Sequence, residues 1–125
     1  MSKEQFLLEN QRAGEQYAGL ILGKEGKPDY HVFLLGAKPE SIMTWSDALE
    51  WARTVGGQLP NRSEQSLLFA NLKELFNEFY YWSSEQRANN TNFAWAQDFS
   101  DGFQGNDRKS NKGRARAVRR VILDF

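Results

Sequence analysis

The stretch Thr44–Glu64, TWSDALEWARTVGGQLPNRSE, leaves its chain little choice of local structure. Trp45, Ala48, Leu49 and Ala52 recur at i, i+3, i+4 and i+7, an apolar stripe with the helical period. Thr44 with Asp47 opens that helix in the manner of a capping box: the hydroxyl takes an orphan N–H and the carboxylate sits at the positive end. Gly56 and Gly57 supply the stop, where a left-handed residue is needed. After Pro60 a second helix starts, with Asn61 as cap and Glu64 three residues on. Leu68, Leu72, Leu75 and Phe76 give it an inner face, and Phe79 is expected to end it.

Strand patterns flank this helical centre. YAGLIL and YHVFLL are β-rich runs separated by the turn-forming GKEGKPD, and they read as a hairpin. FYYWSS reads as a strand with aromatics on both faces. NFAWAQDFS sets Phe93, Trp95, Gln97 and Phe99 against Ala94, Ala96, Asp98 and Ser100. Asp101-Gly102 reads as a two-residue hairpin turn, GNDRKSNKG as a polar loop, and RARAVRRVILDF as a final strand. The class is therefore α+β. Residues 1–16 form an N-terminal arm or short helix, and 17–125 a single domain, a size at which folding buries a core without staples. Seventeen aromatic residues supply its bulk.

The chain has no cysteine and one histidine, which excludes disulfides, thiolate chemistry and a zinc site of three or four N/S ligands. His31 lies in a predicted strand beside aromatics, and no nucleophile-elbow motif accompanies it. Asp98, Asp101 and Asp107 do not have the spacing of a calcium loop, and Asp101 has its turn to serve. GKEGKPD lacks the closing Gly-Lys-Ser/Thr of a phosphate cradle. The expectation is no metal, no cofactor and no enzyme activity. No apolar run approaches the roughly 20 residues of a membrane span. The N-terminal residues lack the pattern of a signal peptide, so a cytoplasmic location in the producing cell is expected. Asn61-Arg62-Ser63 and Asn89-Asn90-Thr91 match the glycosylation pattern by chance in that compartment.

The net charge is zero but unevenly spread: from Arg108 onward there are seven basic residues and one acid. On strand geometry Arg114, Arg116, Val118, Arg120 and Ile122 face one way. Ala115, Ala117, Arg119, Val121 and Leu123 face the other, the inner side. Arg119 is then the odd inward residue, to be paired with a carboxylate or stacked on a tryptophan. A nucleic-acid groove calls for more net charge and clustered lysine, so a framework strand is expected and specific nucleic-acid binding is not.

Two motifs carry a family resemblance. TWSDALEWARTVGGQLPNRSE resembles the helix-then-GG-x-LP segment of the C-type-lectin-like superfamily. YYWSSEQ…AWAQDFSDGFQ…RARAVRR is similar to the signature of a branch of unknown function, which includes the C-terminal domain of a bacterial collagen-like adhesin and many short phage and prophage proteins. The opening YAGLILGKEGKPDYHVFLL is also similar to the phage-type members. The resemblance implies two helices beside a twisted antiparallel sheet, with a ligand face on long late loops, here 83–92 and 104–113. Its candidate contact residues are Arg87, Asn89, Asn90, Asn92, Gln104, Asn106, Arg108 and Lys109. Its framework residues are Trp45, Gly57, Pro60, Trp82, Trp95, Gly102, Arg116 and Arg119. The calcium-and-sugar motifs of Glu-Pro-Asn and Trp-Asn-Asp type are missing, so calcium-dependent sugar binding does not carry over. What it implies is a phage-encoded binding module for a host or phage protein or a surface glycan, carried on the virion. The rival is a small cytoplasmic effector that blocks a host defence protein. An enzyme acting on carbohydrate or nucleic acid comes third.

Overall fold

The computed structural model describes residues 1–122. The elements run α1 (Lys3–Asn10), β1 (Gln16–Ile21), β2 (Tyr30–Leu34), α2 (Trp45–Thr54), α3 (Arg62–Leu72), β3 (Tyr80–Gln86), β4 (Phe93–Asp98), β5 (Gln104–Arg108) and β6 (Val118–Ile122). They make an α+β fold with two antiparallel three-stranded sheets, β1-β2-β6 and β3-β4-β5.

The helices start where their caps dictate. The Thr44 hydroxyl accepts from the Asp47 N–H at 3.4 Å. The Asn61 side chain accepts from Glu64 N–H while the Glu64 carboxylate accepts from Asn61 N–H, both at 2.8 Å, a reciprocal capping box. Gly56 turns the chain out of α2 at φ 84°, but Gly57 serves packing instead. A Cβ on it would lie 2.7 Å from the Val118 carbonyl oxygen, so only glycine lets this turn lie against the first sheet. α3 stops at Leu72, short of the expected Phe79, and gives way to a 3-10 turn at Lys73–Leu75. Leu75 and Phe79 are consequently exposed, while Phe76 packs inward.

Two cores differ in kind. One surrounds Trp82, 1% exposed, with six alanines: Ala48, Ala52, Ala94, Ala96, Ala115 and Ala117. Small side chains let α2 and the strands close directly onto the indole, whose N–H donates to the Met43 carbonyl at 3.0 Å. The other is bulky. Phe76, Tyr81 and Phe99 meet there with Leu68, Val32, Leu34 and Val118, and Phe76 stacks on Phe99 at 4.0 Å between centroids.

The segment 113–118 joins the two sheets. Gly113 exchanges backbone hydrogen bonds with Met43, Arg114 N–H donates to Tyr80, and Trp82 N–H donates to Arg114. Four residues on, Leu35 N–H donates to Ala117, and Val118 exchanges bonds with Gln58. Both sides of this segment are covered, which overturns the alternation expected of a surface strand. Ala115, Arg116, Ala117 and Val118 are all buried. Regular strand resumes only at Val118, and Leu123, expected to face inward, lies outside the described residues. At the other end α1 docks on β1 and β2. Phe6 packs on His31 in a tilted arrangement at 3.9 Å between centroids, and Tyr17 Oη lies 2.8 Å from His31 Nδ1. Burial lowers the pKa of this imidazole.

Candidate functional site

The late region is more ordered than its composition implies. Gln104–Arg108, expected within a polar loop, is strand β5, paired with β4 in the register Phe93↔Arg108, Trp95↔Asn106 and Gln97↔Gln104. The turn between β4 and β5 also differs from the expected Asp101-Gly102 pair. Asp98 N–H donates to Phe103 and Gly102 N–H donates to Asp98, both at 2.8 Å, so four residues, 99–102, close the hairpin. Gly102 takes φ 84°, and a Cβ there would lie 3.0 Å from the Phe69 ring. β3 is bulged against β4 between Trp82 and Gln86. The freed groups reach the helical side: Ser83 carbonyl accepts from the Trp45 indole at 2.8 Å, and Ser84 N–H donates to the Pro60 carbonyl.

Antiparallel partners share a face. Phe93, Trp95 and Gln97 therefore stand on one side of β4 with Arg108, Asn106 and Gln104 of β5. Ala94 and Ala96 face the Trp82 core. α3 covers one end of the outer side: Gln97 Nε2 donates to the Gln65 carbonyl at 2.7 Å, and Gln104 Nε2 to the Arg62 carbonyl at 2.8 Å. Arg62 lies over the Trp95 ring at 3.5 Å and donates through Nε to Gln104. Toward the other end the cover stops. Arg108 leans over Phe93 at 5.3 Å, and beside them runs the connection 87–92.

The eight candidate contact residues divide by what already holds them. Arg87 Nε donates to Asn89 Oδ1 at 2.8 Å. Asn90 closes the turn, its carbonyl accepting from Phe93 and its side chain from Asn92 N–H. Gln104 is tied to α3. Lys109 lies on the opposite face, its Nζ donating to Gln86 at 2.6 Å and resting over Trp45 at 4.3 Å. These five serve the fold locally. Asn92, Asn106 and Arg108 are exposed, and among the described residues their side chains accept and donate no hydrogen bond. Their backbones are used: Asn92 N–H donates to Asn90 Oδ1 and its carbonyl accepts from Lys109 N–H at 2.9 Å, while Asn106 and Arg108 sit in the β4–β5 ladder. With Phe93, Trp95 and Arg62 they form one edge: two aromatic rings under guanidinium groups, flanked by amides without partners.

Arg62 was not among the residues singled out in the sequence. Its partner Trp95 is distant along the chain, and no local pattern joins them. Trp95 was assigned to the framework; the alternation Phe93-Ala94-Trp95-Ala96 already marked it as standing opposite the alanines.

The framework arginines show a different pattern. Arg119 donates through Nε and an Nη to the Glu15 carboxylate at 2.8 and 2.7 Å, and to the Asn10 carbonyl at 2.6 Å. The ring beneath its guanidinium is Phe33, at 4.8 Å, where a tryptophan was the expected alternative. Arg120, expected to point outward, donates to Glu64 at 2.5 and 2.7 Å and also to Gln58. Arg116, also expected outward, is 6% exposed and donates to the Leu75 and Leu35 carbonyls.

Among the described residues no group of three His, Cys, Asp or Glu side chains is placed to hold a metal ion, and no helix is long and apolar enough to cross a membrane. No protein-family model matches the chain, and neither does any curated protein.

Proposed function

We propose that the protein is a non-enzymatic binding module of the C-type-lectin-like kind, phage- or prophage-encoded. It recognises a protein or glycan through the edge formed by Asn92, Phe93, Trp95, Asn106 and Arg108. The observation that carries the reading is the set of three exposed polar side chains without partners among the described residues, aligned beside two aromatic rings on a paired sheet. Loops and edges on such a scaffold commonly carry binding. Aromatic and arginine side chains are the types that anchor protein interfaces, which favours a protein partner over a glycan. The layout is compatible with the lectin-like resemblance: β1 and β6 flank β2 in one sheet, and the late strands form a second with the candidate edge.

The test is capture of a partner from host lysate, run beside a glycan array, with the wild type and the Asn92→Ala/Asn106→Ala/Arg108→Ala variant. The variant is expected to lose about tenfold or more in affinity, equivalent to ~1.4 kcal/mol, with an unchanged circular dichroism spectrum. Unchanged binding would place the site elsewhere. Co-purification with virions supports the virion-borne version; recovery of a host protein supports the cytoplasmic effector.

A further inference from the structure

The charge of Arg116 is unbalanced within the fold. Its two Nη groups donate to neutral acceptors, the Leu75 carbonyl at 2.9 Å and the Leu35 carbonyl at 3.0 Å. Its Nε is buried and has no partner among the described residues. Arg119 and Arg120 each hold a carboxylate, but among the described residues no acid lies within ion-pair distance of Arg116. Burial accordingly lowers its pKa, with the neighbouring Tyr81 acting in the opposite direction. A buried charge without a counter-charge is costly.

Arg116 forms part of the wall of a half-open cleft of about 500 Å³, within the range of small-molecule sites. Lys38, Tyr81 and Arg114 line the same cleft, with Ile42 and Leu75 at its exposed apolar rim. Tyr81 Oη accepts from Asn77 N–H at 2.9 Å, and among the described residues its own O–H has no acceptor. Arg114 rests over Phe79 at 4.3 Å and has no ion-pair partner among those residues. Glu40 and Glu74 also line the cleft; both are exposed. The cationic groups exceed the carboxylates by one. That surplus suits a monoanion better than a phosphate dianion, which the two glutamates oppose.

We propose that this cleft, separate from the β4–β5 edge, binds a carboxylate attached to a small apolar group. The carboxylate takes the Tyr81 hydroxyl and Arg114 within the field of Arg116, while the apolar part covers Ile42 and Leu75. Such a group is either a free acid or the C-terminus of a peptide ending in an apolar residue.

The experiment is a ¹⁵N NMR titration of the intact protein at fixed ionic strength, following Arg116 Nε–H and the Asn77 and Tyr81 amides. The probes are sodium acetate, sodium 3-phenylpropionate and sodium phosphate. Expected are saturable shifts with both carboxylates, 3-phenylpropionate binding several-fold tighter than acetate, and phosphate weaker than either. Lys38→Gln/Arg114→Gln, which leaves Arg116 and the core intact, is expected to weaken 3-phenylpropionate at least fivefold. Tyr81→Phe should weaken it with the fold retained. A pentapeptide ending in phenylalanine, tested as free acid and as amide, separates the sources: binding by the acid alone indicates a chain terminus, and binding by neither peptide indicates a free acid. The proposal is overturned if Arg116 Nε–H does not respond. It is equally overturned if phosphate matches the carboxylates or the double variant binds as the wild type does.

Discussion

The C-terminal segment 114–120 and the β5 edge 104–109 both carry basic side chains, yet the fold treats them oppositely. In the first, Arg119 and Arg120 are each fixed on a carboxylate, Glu15 and Glu64, that the chain buries elsewhere. In the second, the Arg108 guanidinium leans over Phe93, stays exposed and has no ion-pair partner among the described residues. A count of charges along the sequence ranks the C-terminal segment as the stronger electrostatic feature. The structure tempers that ranking, because two of the segment's four arginines, Arg119 and Arg120, are consumed on carboxylates, one of them on α3. What is left over for a ligand is decided by partners, and the basic run is a poor guide to it.

The largest effect that would break this comparison is expected at Arg120. Glu64 is 0% exposed and also caps α3. Arg120→Ala strands that carboxylate, and a denaturant melt is expected to lose about 3 kcal/mol, the lower end for a severed buried pair because the arginine is itself partly solvated. A loss under about 1 kcal/mol would show that water replaces the arginine.

Arg119→Ala comes next, at about 2 kcal/mol, since Glu15 is buried and loses two charge-assisted bonds. Here pH sharpens the test. The bonds from Arg119 are the main cause that holds the Glu15 carboxyl below its ordinary value of 4.5, against the opposing pull of burial. A carboxyl lowered in this way adds stability that is present above its unfolded value and lost as pH falls through its folded value. Wild-type stability should therefore decline below about pH 4.5, and Arg119→Ala should flatten that decline. Parallel profiles would remove Glu15–Arg119 as the cause.

The smaller effects divide two neighbours. Lys109 bridges Gln86 and Trp45, so Lys109→Ala should cost about 0.5–1 kcal/mol. Arg108→Ala should stay within about 0.5 kcal/mol of wild type. Equal losses would mean that the two faces of β5 are not distinct.

How much of this was legible in the sequence follows from the range of each interaction. Thr44, Asn61 and Glu64 announced two helix starts because a cap is settled within four residues. The hairpin of β1 and β2 was visible because two β-rich runs flank the short turn-forming connection 22–29. β5 was hidden, since QGNDR is made of turn-forming and polar residues and becomes a strand only through the ladder offered by β4. Arg116 was misplaced because alternation presumes water on one side, whereas segment 113–118 has protein on both. Glu15 and Glu64 lie 104 and 56 residues from their arginines, and no periodicity reports such pairs. At the candidate edge, the Asn-rich composition marked two polar segments, 83–92 and 104–113. It could not separate Asn89 and Asn90, which close their own turn, from Asn92 and Asn106, which have no such task.

The most direct test of whether the C-terminal charge is consumed inside the fold is solvent exchange of arginine Nε–H groups, measured by ¹⁵N NMR at neutral pH. Arg119 Nε donates to Glu15 and Arg120 Nε to Glu64, whereas among the described residues Arg108 Nε has no acceptor. The expected result is slow exchange and persistent signals for Arg119 and Arg120, with Arg108 exchanging fast enough to lose its signal. Equal, rapid exchange at all three would contradict the account, and would return the basic segment to the surface as an open site.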